Sequence, residues 1–330
     1  MSSPSLSFRN ALYQPRLSFF AVAAAVWVFV LVTLGAFTTT IGAGMAFLDW
    51  PLSNGSVNPE GWLTDMAMFA EHSHRLTGTV MGFFAIGLAY WLHRTVARNW
   101  LRRLGWAALG IVVIQGLIGG KRVLLDATQV PGFDMSLGQM LRVPHGVLAQ
   151  IYVCLLVAIA LGCSRRWIEN AIPVGVRVRQ AAVACVALLL VQLTIAAFMR
   201  HNHAGLAIST FPFSSADYAI LPPHWDYRVT LHFAHRVMAV VLTVAIIMLY
   251  LRVRRDPAAT PLLRGAATTL VALLVVQILL GASVIWSLRR SDLTTAHVIV
   301  GAATLATAFA LACLAHRDAI ESPMPNASRS

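Results

Sequence analysis

Eight apolar runs, each about as long as a helix needs to be to cross a bilayer, constrain this chain more than any motif in it. They cover residues 17–37, 66–92, 104–120, 143–163, 181–199, 231–251, 266–286 and 293–315. In hydrocarbon every backbone polar group needs a partner within the protein, which a helix provides segment by segment. The pattern predicts an all-α polytopic membrane protein with eight transmembrane helices. A chain of 330 residues that is 58% hydrophobic and 12% charged, with a mean hydropathy of +0.71, leaves little room for a soluble domain. Function has to reside in the bundle and its loops.

The net charge of +12 is topological in its distribution. Sixteen arginines fall at the termini (Arg9, Arg16, Arg317, Arg329) and in the loops after the second, fourth and sixth runs. Only seven basic residues, Lys121, Arg122, Arg142, Arg200, Arg228, Arg289 and Arg290, lie on the other side. Cytoplasmic loops carry the excess of Lys and Arg, so the chain is expected in the cell (inner) membrane with both termini cytoplasmic. No nucleic-acid partner is implied. Cys154, Cys163, Cys185 and Cys313 lie in or at the ends of runs, so no outer-face disulfide is expected.

The chain also repeats itself. "HSHRLTGTV" (72–80) matches "HFAHRVMAV" (232–240), which aligns His74 and Arg75 with His235 and Arg236 at an offset of 161 residues. The same offset lays "AGMAFLDWP" (43–51) on "AGLAISTFP" (204–212). "QGLIGG" (115–120) matches "QILLGA" (277–282) at 162, and "PHGVLA" (144–149) matches "AHVIVG" (296–301) at 152. An even number of helices per unit makes both units insert the same way up, as two pseudo-symmetric parallel four-helix bundles. The expected organisation is a cytoplasmic N-terminus (1–16), an N-terminal bundle (17–163), a cytoplasmic linker (164–180), a C-terminal bundle (181–315) and a cytoplasmic tail (316–330).

Each unit supplies one histidine near the start of its second helix and one near the start of its fourth: His74 and His145, then His235 and His297. Two imidazoles on facing helices of a four-helix unit can ligate a haem iron from both sides. The plainer reading is packing histidines hydrogen-bonded to neighbouring helices, which four repeat-related positions make less economical. Arg75 and Arg236 each follow a histidine and can reach a haem propionate, as can Lys121, Arg122, Arg142, Arg289 and Arg290, or they snorkel to the interface. At the 161 offset Glu71 aligns with His232, so only one unit has a carboxylate on the face of its iron ligand. Such a carboxylate acts as base, relay or cation stabiliser, or is simply paired to an arginine. His201, His203 and His224 are expected to be solvated loop residues rather than a metal site.

In order along the chain, "DWP" (49–51), Glu71–His74–Arg75, "GLIGG" after Gln115, His145, "AGLAISTFP", "LHFAHR" and His297 resemble the haem A synthase family of bacterial and mitochondrial membranes, over about residues 17–315. The resemblance implies oxidation of a methyl group of haem O to a formyl group by successive hydroxylations. It implies that His74 and His145 flank the substrate haem iron, that His235 and His297 ligate a resident haem b, and that Glu71 is the catalytic carboxylate. A haem O synthase or an oxidase assembly factor is the implied partner. The chain departs from many bacterial relatives in having no cysteine in 38–65, which excludes a loop thiol relay. Two other readings remain open: a bis-histidine dihaem membrane cytochrome for electron transfer, and a transporter using the parallel repeat.

Overall fold

The computed structural model describes residues 13–132, 135–169 and 174–321. Arg9 and Arg329 of the charge count, and part of the expected linker, lie outside them. Among the described residues, eight helices are long and apolar enough to cross a membrane: α1 (Pro15–Thr40), α2 (Met66–Thr95), α3 (Asn99–Leu124), α4 (Arg142–Cys163), α5 (Val176–His201), α6 (Tyr227–Arg255), α7 (Pro261–Trp286) and α8 (Ser291–Ala315). Among the described residues there is no strand. The chain is a multi-pass membrane protein.

Local chemistry sets the helix ends. Asp65 accepts from the Met68 N–H at 2.8 Å, and Asp226, at the equivalent repeat position, from Val229 at 2.7 Å. Thr260 caps α7, and Pro15 and Pro261 occupy first-turn positions where no N–H is needed. Reading apolar runs alone places α3 at 104–120, whereas it has 26 residues. Arg102, Arg103, Lys121 and Arg122 interrupt the hydropathy without disfavouring the helix.

Helices α1 to α4 close one cycle of neighbours, α1–α2–α3–α4–α1, and α5 to α8 close a second in the same order. The cycles meet where α8 packs on α1 and α4, and where α4 packs on α5. Each cycle has its own apolar core, one around Leu17, Met81, Leu88, Leu101, Leu156 and Ile159, the other around Val178, Leu249, Leu263, Leu270, Leu305 and Leu311. Both cores fill the end of the bundle where α1 and α5 begin. The opposite end, called here the loop face, carries the long connections 41–65 and 202–226 and all the repeat-related histidines. Outward-facing apolar side chains such as Phe19 (77% exposed), Phe83 (68%) and Val240 (66%) form the belt that lipid would cover. An apolar cavity of about 480 Å³, lined by Trp100, Cys154, Trp167 and Cys313 among others, lies away from the histidine layer. All four cysteines are free thiols.

Candidate functional site

Glu71 is 3% exposed, and its carboxylate is held from three directions. Oε2 accepts from the backbone N–H groups of Ala46 (2.7 Å) and Phe47 (3.2 Å), and Oε1 from Arg75 Nη2 at 2.6 Å. Arg75 in turn donates to the carbonyls of Asp49 (2.8 Å), Leu52 (2.6 Å) and Phe47 (3.3 Å). The pair therefore clasps the first loop onto α2. Asp49 tightens the same loop by accepting from Asn54 at 2.8 Å and Gly55 at 2.7 Å, two residues with positive φ. Burial raises the pKa of Asp49, but the Gly55 and Asn54 N–H groups outweigh it and hold the carboxyl below its ordinary value.

The second loop is clasped at equivalent positions. Arg236 donates to the carbonyls of Ile208 (3.1 Å), Thr210 (2.6 Å) and Phe213 (3.2 Å), each 161 residues beyond its counterpart on Arg75. His232 stands in for Glu71, its Nδ1 accepting from the Ile208 N–H at 3.2 Å. Both loops have a cis peptide at the matched prolines, Trp50–Pro51 and Phe211–Pro212. Arg75 and Arg236, expected at propionates, thus direct both Nη atoms to loop carbonyls.

The four histidines lie just below these loops. In the second cycle the rings of His235 and His297 are 6.4 Å apart, centre to centre, at 65°. Two imidazoles on opposite sides of one iron, each bonded at about 2 Å with the nitrogen roughly 1 Å from its ring centre, have centres about 6 Å apart. The Nδ1 atoms of His235 and His297 are buried without a partner among the described residues. A Cβ at Gly281 would come within 3.1 Å of the His297 ring and would press on it by a few tenths of an ångström. The spacing of the two rings is the one a bis-imidazole haem would need.

In the first cycle the Nδ1–H of His74 donates to the Leu31 carbonyl at 3.2 Å, which leaves Nε2 with the lone pair an iron needs. His145 sits within electrostatic range of His74. Gly119 faces the His145 ring as Gly281 faces His297, and Gly35 faces His74. A Cβ at Gly120 would collide with the Trp50 indole. The glycines of "GLIGG" thus make room for a histidine of α4 and for the tryptophan of "DWP".

Three glutamines escaped the sequence reading. Gln115 Nε2 donates to the His145 carbonyl at 3.0 Å, Gln192 Nε2 to the His235 carbonyl at 3.1 Å, and Gln277 Nε2 lies 3.4 Å from His297 Nε2. Gln115 and Gln277 open the repeated "QGLIGG" and "QILLGA" motifs, so the signal was present. Gln192 had none, since its counterpart is Leu31. His201, expected to be a solvated loop residue, is instead the last residue of α5 and is within electrostatic range of His145. No group of three or more metal-ligating side chains occurs among the described residues.

The cycles differ in charge. Arg122 reaches across the first loop to the Gly44 carbonyl at 2.9 Å, and Arg142 pairs with Asp126 at 3.0 Å. At the repeat offsets their counterparts are Val284 and Thr294, just as that of Glu71 is His232. Among the described residues, only the first cycle combines its histidines with a buried carboxylate and with partly buried guanidinium groups from Arg122 and Arg142.

The family described as cytochrome oxidase assembly protein, COX15-CtaA, matches residues 62–309. The chain belongs to this family. The COX15-CtaA match takes in Glu71, Arg75, Arg236 and all four repeat-related histidines. The chain is 30% identical over 257 residues to a haem A synthase of Symbiobacterium thermophilum, covering 75% of this chain and 78% of that one. It is 27% identical to a haem A synthase of Rhodospirillum centenum, covering 89% and 88%, and 24% identical to one of Methylobacterium radiotolerans, covering 86% of each.

Proposed function

We propose that this protein is a haem A synthase, a membrane oxidoreductase that converts haem O to haem A. Its COX15-CtaA membership and its relatives support that activity. The assignment of parts is the proposal's own. The first cycle (within 17–163) takes the substrate haem between His74 and His145, and the second (within 181–315) holds a haem b between His235 and His297. The observation that carries the division is the one-sided charge, Glu71, Arg122 and Arg142 against His232, Val284 and Thr294.

A haem b held by His235 and His297 would supply one-electron redox capacity. The chain's own residues do the rest. His74 and His145 fix the substrate porphyrin near the loop face. Oxidation of the methyl carbon builds positive charge there, and Glu71 supplies a fixed negative charge already oriented by Ala46, Phe47 and Arg75. With those donors in place, the carboxylate suits stabilising a cation or positioning water better than carrying protons away. The clasped loop keeps bulk water off the site. Arg75 and Arg236 serve as loop clasps. Both termini are assigned to the cytoplasmic side of the inner membrane, which puts the loop face outside. A haem O synthase or oxidase assembly partner would deliver substrate or collect product.

The test is chromatography with mass detection on haems extracted from cells that make haem O, with and without this chain and with a suitable electron acceptor. Haem A or hydroxylated haem O appearing only with the chain is the expected result. Bound haem B with haem O untouched would replace the synthase reading with that of an electron-transfer cytochrome.

A further inference from the structure

The first cycle's site is not built from the first cycle alone. Arg200, near the end of α5, donates through Nη2 to the Ala36 carbonyl at 2.5 Å and to Thr40 Oγ1 at 2.6 Å. Both acceptors lie at the end of α1, where Thr40 Oγ1 also donates to the Ala36 carbonyl at 2.7 Å. This contact pins the loop-face end of a second-cycle helix over the first cycle. The next residue, His201, then lies within electrostatic range of Arg122 and Arg142 as well as of His145. Neither Arg200 nor His201 is matched in the repeat, since their counterparts are Thr39 and Thr40.

The charges gathered there do not balance. Against Arg122, Arg142 and Arg200 stand Asp126, paired to Arg142, and Glu71, paired to Arg75. The Nε atoms of Arg122 and Arg142 are buried and have no partner among the described residues. Guanidinium groups with unused donors attract anions, and carboxylates fit their fork geometry. Arg75 and Arg236, with their Nη atoms on the loops, do not meet that need.

We propose that Arg122 and Arg142, together with His201 reaching over from the second cycle, form a carboxylate-binding site that receives the propionate groups of the substrate porphyrin. The inference rests on the synthase reading and extends it. One half of the chain completes the other's substrate site, so substrate selection depends on both cycles being docked. Arg200 is a positioning residue in this arrangement.

The test uses the purified full-length protein in detergent, titrated with haem O and with its dimethyl ester while optical difference spectra are recorded. Wild type should prefer the free acid by roughly 10-fold or more, as expected for charge-assisted hydrogen bonds. His201→Leu should weaken that preference while the second-cycle haem spectrum stays unchanged, and His201→Gln, which restores a neutral hydrogen-bond donor, should regain it. Equal binding of acid and ester by wild type would overturn the proposal, as would an undiminished preference in His201→Leu. Should Arg122→Leu fail to fold because the Gly44 contact is lost, the His201 pair still decides. Selective binding of haem O without any conversion would defeat the synthase reading and leave this site standing.

Discussion

Glu71→Gln should abolish haem A formation while leaving in place the haem proposed for the second cycle. The substitution keeps the side chain's shape and one acceptor oxygen for Ala46 and Phe47, but removes the negative charge. Loss of one preorganised electrostatic contact to a developing charge typically costs about 10²–10³-fold in turnover. The structural penalty is smaller, because the new amide turns a donor toward Arg75 and forfeits one charge-assisted bond, about 1–3 kcal/mol. Turnover on haem O, measured alongside the visible spectrum of the purified variant, separates the two effects. Full turnover in Glu71→Gln would reduce Glu71 to a loop anchor.

Arg75→Leu should act chiefly on structure. The Glu71–Arg75 pair is buried, with side chains 3% and 14% exposed, so solvent screening is slight. Removing one partner of such a pair strands the other charge and costs about 3–5 kcal/mol. The carbonyls of Phe47, Asp49 and Leu52 lose their donor at the same time. Arg236→Leu removes the equivalent donor from Ile208, Thr210 and Phe213 but leaves no carboxylate behind, since His232 occupies the Glu71 position. Its cost should be nearer 1–3 kcal/mol. Hydrogen exchange at the Ala46, Phe47 and Ile208 amides reports each loop separately. The first loop should open markedly in Arg75→Leu, and the second more modestly in Arg236→Leu. Equal effects on both loops would show that the carboxylate contributes nothing to the clasp.

The eight spans were readable in the sequence because lipid allows so few alternatives: a run of about twenty apolar residues reads as a helix. Charged ends hid several residues of α3, whose Arg102 and Arg122 are good helix formers in polar clothing. The repeat exposed the four histidines and the substitution of His232 for Glu71, because equivalent positions cancel what packing requires and leave what differs. Contacts between sequence-distant segments were not legible. That Arg75 serves the carbonyls of 47, 49 and 52 follows from how the loop folds back, and a periodicity argument cannot see it. His201 looked like a loop residue because nothing local shows that Arg200 fastens the end of α5 to α1. The "DWP" motif likewise gains meaning only in three dimensions, as Asp49 braces the Asn54–Gly55 turn and Trp50 fills the space above Gly120.

On the proposed division of labour the two cycles hold different haems, which the haem content of histidine variants reads out. The protein would be purified from cells that make haem b but no haem O, and its haem measured by pyridine haemochrome assay and electron paramagnetic resonance. A low-spin, bis-histidine haem b should disappear in His235→Ala and in His297→Ala but persist in His74→Ala and His145→Ala. Loss of that haem on changing His74 or His145, or its survival without His235 and His297, would contradict the division of labour.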